Sequence, residues 1–139
     1  MLSIDPIDRI NAILANDSQV KFAYVFGSRA RGDHNPASDI DIAVFIEDHV
    51  SPLPHRLRLM EIISRGIGSE HFDLITLNDA PPVLKYEVVR QGRVIKEDKQ
   101  RRVAFEVQVI DEYLDTEHLR QTQRLYLKEQ LQQRGIDGQ

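Results

Sequence analysis

Val20-Lys21-Phe22-Ala23-Tyr24-Val25-Phe26-Gly27-Ser28 and, ten residues further on, Asp39-Ile40-Asp41-Ile42-Ala43-Val44-Phe45 decide how this chain reads. In the first stretch Val20, Phe22, Tyr24 and Phe26 recur at every second position, the period of a strand. A Gly-Ser pair then ends the apolar run. In the second, Ile40, Ile42, Val44 and Ile46 give one wholly apolar face, while Asp39 and Asp41 share the other. Their Cα atoms are then about 7 Å apart. Two like charges held together are costly unless a cation neutralises them. Mg²⁺ is the hard, oxygen-seeking ion that carboxylates commonly share with substrate phosphates.

Alone, an Asp-x-Asp reads as well as a turn cap beside a surface residue. The upstream Gly-Ser changes the balance. Glycine tolerates positive φ and lets backbone approach a ligand. Ser28 falls at or near a helix N-terminus, where free N–H groups attract anions. Arg29 and Arg31 stand close enough to offer charge to a triphosphate, or lie on a solvated face. Gly27, Ser28, Arg29 and Arg31 are therefore the candidate nucleotide-binding residues. Asp39 and Asp41 are the candidate metal ligands.

The rest of the chain supplies the frame. Asp5-Pro6 opens a short helix through Ala15. Gly27 to Gly32 reads as a turn and short helix, and Asp33-His34-Asn35-Pro36 as loop. Pro52 and Pro54 open a helix that Gly66 and Gly68 stop. Phe72 to Leu77 is a third strand. Pro81-Pro82 begins a helix ending near Gly92, and Arg93 to Lys96 is a short edge strand. From Asp98 to Gln133 the pattern is helical, with a break expected near Thr116. Strands alternating with helices indicate an α/β fold.

Asp73 interrupts the third apolar run. If that strand lies beside the Asp39–Asp41 strand, Asp73 joins the cluster, where it binds metal and takes a proton from an attacking hydroxyl. Otherwise it faces water on an edge. His71 reads as a surface residue, and His34 is assigned no role.

At 139 residues the chain suits one domain with its own core. It has no cysteine, which excludes disulfides and thiolate metal sites and suits a reducing cytoplasm. No stretch approaches the length of a membrane span. Its N-terminus lacks the pattern of a signal peptide. A net charge of −4 does not suit a nucleic-acid binder, but leaves a nucleotide substrate open, because a metal carries compensating charge.

Gly27, Ser28, Asp39, Asp41 and Asp73 together resemble the signature of the DNA polymerase β-type nucleotidyltransferase superfamily. The Gly27 to Gly32 run resembles its minimal nucleotidyltransferase, or MNT, branch. The likeness covers roughly residues 1–97. It implies an α/β (α+β) core, a small mixed sheet flanked by helices; the helical extension over 98–139 lies outside the likeness and is expected to pack on the core, on a partner, or both. It implies a site holding ATP and two Mg²⁺, in which Asp39, Asp41 and Asp73 are catalytic. A hydroxyl attacks the α-phosphate and pyrophosphate leaves. Many MNT proteins are antitoxins that transfer AMP to a tyrosine of a helical HEPN-type ribonuclease toxin. The expected partners are therefore ATP and such a toxin, with neither nucleic acid nor membrane. A small-molecule nucleotidyltransferase of the aminoglycoside type, and an antitoxin acting by binding alone, are the alternatives.

The extension carries two apolar stripes, Val103, Val107, Ile110 and Leu114 on one side and Phe105, Val109 and Tyr113 on the other. Packing between elements accounts for both stripes as well as a partner surface does. Arg120, Arg124 and Lys128 recur every four residues, either solvated or facing an acidic partner.

Overall fold

The computed structural model describes residues 5–27 and 39–133. Helix α1 (Pro6–Ala15) begins where the Asp5 side chain accepts the Ile7 N–H at 2.8 Å, an N-cap followed by proline at the first helical position. Strand β1 (Val20–Phe26) leads to Gly27, and β2 (Ile40–Ile46) returns antiparallel beside it. Helix α2 (Pro52–Ile67) ends at Gly68, whose φ of +68° gives the left-handed cap that its N–H closes onto Ser64. Gly66 does not stop this helix, as the sequence suggested. It lies inside, where a Cβ would come 2.6 Å from Ile13. There it lets α2 approach α1.

Strand β3 (Phe72–Thr76) is one residue shorter than expected and passes into a 3₁₀ turn at Leu77–Asp79. Helix α3 (Pro82–Gln91), strand β4 (Arg93–Lys96) and helix α4 (Lys99–Gln133) complete the described chain. The sheet order is β3-β2-β1-β4. The β2–β3 pair is parallel and the other two are antiparallel, so the sheet is mixed and the fold is α+β.

Each face of the sheet carries its own core. Ile40, Ile42, Val44 and Ile46 pack with Ile7, Ile10 and Leu14 of α1 and Leu59 and Ile63 of α2. The opposite face gathers Phe22, Tyr24, Ala43 and Leu77 under Val88 of α3 and Phe105 and Val109 of α4. Phe22 and Phe45 stack at 4.8 Å, and Phe105 tilts against both. The period-two alternation of β2 thus serves two helical layers.

Helix α4 runs unbroken through Thr116. The Thr116 hydroxyl lies 3.2 Å from the carbonyls of Glu112 and Tyr113, a back-bond that a helix accommodates. Its two stripes separate in function. Phe105 and Val109 are buried, whereas Val103, Val107, Ile110 and Leu114 are exposed. Among the described residues no helix is long and apolar enough to cross a membrane.

Candidate functional site

The carboxylates meet because of strand register. Phe26 at the end of β1 pairs with Asp41 near the start of β2, and Asp41 pairs with Asp73 of β3. The end of β1, Asp41 and Asp73 therefore lie in one row across three strands, about 4.8 Å from strand to strand. Asp41 and Asp73 are in phase with Ala43 and Ile75, which belong to the core under α3 and α4. Both thus face that side of the sheet.

Gly27 turns the chain against this row. Its φ is +71°, and a Cβ there would sit 2.3 Å from Asp41 Oδ2. Conformation and space both demand glycine. The Asp41 carboxylate is consequently held beside the backbone at the point where β1 ends.

Asp41 is half-buried, and Asp73 is exposed on the edge strand. The two sequence readings of Asp73 therefore do not exclude each other. Strand β3 is an edge, yet it is the strand beside β2. Asp39 departs from expectation in one respect. It precedes β2 rather than lying in it, and its side chain is 63% exposed, with Oδ1 at 3.9 Å from His71 Nδ1. His71 is a surface residue as read, but it faces Asp39. Ser28, Arg29, Arg31 and His34 lie outside the described residues.

Among the described residues no three carboxylate or imidazole groups form a ready-made metal cage. Mg²⁺ does not require one. It is ordinarily held by one or two carboxylates, with phosphate oxygens and water completing its shell. All-oxygen donors at paired positions on adjacent strands, beside backbone that lacks a Cβ, fit such an ion.

One supporting group escaped the sequence reading. Tyr24 looks like one more apolar position of β1, but its hydroxyl donates to Glu106 of α4 at 2.6 Å. Arg102 donates to Glu106 at 3.0 Å and to Glu97 at 2.7 Å. Burial, then the Glu106 carboxylate, hold the Tyr24 proton well above the ordinary phenol range. This joins α4 to the strand that carries Gly27. With 82 residues between the partners, no local pattern announces the contact.

A cavity of about 410 Å³ lies at the other end of β1, lined by Asp17, His55, Arg58 and Leu59 among others. It is remote from the carboxylate row.

Comparison with known proteins agrees with the fold. The family described as polymerase beta, nucleotidyltransferase matches residues 8–101. The chain is 32% identical over 104 residues to the protein adenylyltransferase MntA of Shewanella oneidensis, a match spanning 75% of this chain and 73% of that protein. A crystal structure of a toxin–antitoxin pair with AMP-PNP superposes with a TM-score of 0.71 at 28% identity, covering 90% of this chain and 98% of the matched one. The MNT antitoxin in complex with the tri-AMPylated Shewanella oneidensis HEPN toxin superposes with a TM-score of 0.66 at 27% identity, covering 91% of this chain and 96% of the other. The chain therefore belongs to the polymerase beta nucleotidyltransferase family and, within it, to the MNT branch.

Proposed function

We propose that this chain is an antitoxin that transfers AMP from ATP to a hydroxyl, a tyrosine side chain, of a HEPN ribonuclease toxin and so neutralises it. The observation that carries the chemistry is the row Gly27–Asp41–Asp73. The acceptor is argued from the relatives, one named a protein adenylyltransferase and one solved with an AMPylated HEPN toxin.

In this reading the backbone at Gly27 and Ser28 holds the triphosphate, with Arg29 and Arg31 adding positive charge. Asp39 and Asp41, completed by Asp73, hold Mg²⁺. Bound there, the ion supplies Lewis-acid stabilisation of charge on the phosphoryl oxygens, and a second ion does so for the leaving group. Asp73 takes the proton of the attacking hydroxyl. A bond forms between that oxygen and the α-phosphorus, the α–β phosphoanhydride bond breaks, and pyrophosphate leaves with the electron pair. Residues 1–97 carry this chemistry and residues 98–139 serve contact with the core and the toxin. We place the pair in the cytoplasm, where a chain without cysteine is at home.

The test is transfer of label from α-³²P-ATP to the HEPN protein encoded beside this chain, with Mg²⁺. Wild type labels the toxin. Asp41→Asn and Asp39→Asn lose the transfer, and EDTA abolishes it. Equal labelling by both variants would overturn the assignment.

A further inference from the structure

The row that pairs Asp41 with Asp73 has a neighbour two residues upstream. Strands β2 and β3 run parallel, with Ile40 beside Phe72 and Asp41 beside Asp73. The Ile40 N–H donates to the His71 carbonyl at 3.3 Å, so the pairing reaches back to the residues just before both strands. Asp39 and His71 therefore stand side by side. Alternation puts Asp39 on the face of Asp41 and His71 on the face of Asp73. These are one face, because Asp41 and Asp73 are partners in register. Asp-x-Asp thus lies beside His-x-Asp at one corner of the sheet.

The side chains follow the backbone. His71 Nδ1 lies 3.9 Å from Asp39 Oδ1. That is too long for a hydrogen bond. Both groups are exposed, at 86% and 63%, where an ion pair adds little to stability. The spacing does suit two donors to one ion. With bonds of about 2.1 Å, an octahedral ion holds neighbouring donors about 3.0 Å apart and opposite ones about 4.2 Å apart. The backbone on the His71 side is fixed. Its N–H donates to Ser69 Oγ at 3.0 Å, and the Ser69 N–H donates to the Ser64 carbonyl near the end of α2. The turn that feeds β3 thus places the imidazole, while its ring stays open to a ligand. Among the described residues no three such groups close round one point, so the pair offers two donors, and phosphate and water complete the shell.

We propose that His71 is a metal ligand of this site and that, with Asp39, it gives one of the two ions a nitrogen donor. Carboxylate, phosphate and water oxygens are the ligands of Mg²⁺, whereas imidazole suits first-row transition ions. The consequence is selectivity. The site takes Mn²⁺ or Co²⁺ more tightly than Mg²⁺, and His71 sets the margin. This rests on the function proposed above and deepens it, because it names the ions that the carboxylate row accepts.

The experiment follows Mn²⁺ on the full chain with α,β-methylene-ATP, whose α–β bridge does not cleave, and no acceptor protein. Electron spin echo spectroscopy detects nitrogen bound to the ion, and ¹⁵N-histidine in the protein separates imidazole from adenine nitrogen. Wild type shows the histidine signature, and His71→Ala loses it. In titrations His71→Ala binds Mn²⁺ and Co²⁺ at least ~10-fold more weakly, the scale on which changes around a bound metal are felt, and keeps its affinity for Mg²⁺. Asp41→Asn weakens the binding of all three ions. His71 is exposed, so circular dichroism should show the folded state retained in His71→Ala. Mn²⁺ on wild type without histidine nitrogen, or held with the same affinity by His71→Ala, would overturn the ligand while leaving the three carboxylates and AMP transfer intact. No Mn²⁺ binding by wild type, or equal binding by Asp41→Asn, would overturn that reading and this proposal together.

Discussion

The two ends of the β-sheet treat charge in opposite ways. At the end where β1 begins and β2 stops, polar groups are matched with partners. Asp17 accepts from His55 Nε2 at 2.7 Å and from the Gln19 N–H at 2.9 Å. Arg58 donates to His55 Nδ1 at 3.0 Å, which leaves Nε2 to donate, since a guanidinium cannot accept. Lys96 donates to the carbonyls of Leu14 and Asp17. The Asn78 amide bridges the Ile46 N–H and carbonyl. Glu47 accepts from Lys21 and Arg101, and those hydrogen bonds bring its carboxyl down to about 2.

At the other end Asp41 and Asp73 pair across adjacent strands, and Asp39 stands just before β2. Asp39 and Asp73 are exposed, and Asp41 is wedged beside Gly27. Paired opposite charges stabilise a fold, whereas like charges at paired positions on neighbouring strands cost it something. The difference teaches where stability and chemistry reside on one sheet. The distal end holds α1, α2 and β4 together, and the proximal end carries the carboxylates to which the proposed chemistry is assigned.

Three substitutions sharpen or break this contrast. The largest effect is expected from Gly27→Val, which forces a side chain into a positive-φ position against Asp41. Transfer should fall at least ~100-fold, the scale of a misplaced catalytic group, while the melting temperature shifts far less. A Gly27→Val protein that transfers AMP at the wild-type rate would remove the glycine turn from the site. Next comes His55→Ala at the opposite end. Losing the partner of Asp17 and Arg58 should cost about 2 kcal/mol in urea unfolding, with unchanged transfer per folded molecule. Lost activity in the folded variant would mean that the two ends are coupled.

The smallest effect belongs to Tyr24→Phe, at about 1 kcal/mol at neutral pH for the lost hydrogen bond to Glu106. Its sign with pH is fixed. The folded protein keeps the Tyr24 proton beyond the ordinary phenol range, and the unfolded chain gives it up near pH 10. The contribution is complete below about pH 10 and falls away as pH rises past it. Thermal melts from pH 9 to 11 should decline more steeply for wild type than for Tyr24→Phe. Identical slopes would show that this hydroxyl does not tie α4 to β1.

The alternation in Val20–Phe26 and Ile40–Ile46 announces both central strands, because each packs against helices on a period the backbone imposes. Capping at Asp5-Pro6 and the glycine at 68 are equally local signals, and they mark helix ends correctly. Thr116 misled for a related reason. A β-branched hydroxyl residue weakens an isolated helix, yet here it bonds its own carbonyls and the helix continues. Gly66 misled because helix packing, invisible in sequence, can require the absence of a side chain as much as a turn can.

By itself the sequence determined the elements, the two-faced character of β2 and the carboxylate pattern, since these depend on neighbours a few residues apart. Only the tertiary structure decided the parallel register that sets Asp73 beside Asp41, the contact that closes Gly27 on Asp41, the Tyr24–Glu106 tie, and which stripe of α4 is buried. Each joins residues distant along the chain, and strand register and helix placement are set by the packing of both cores together.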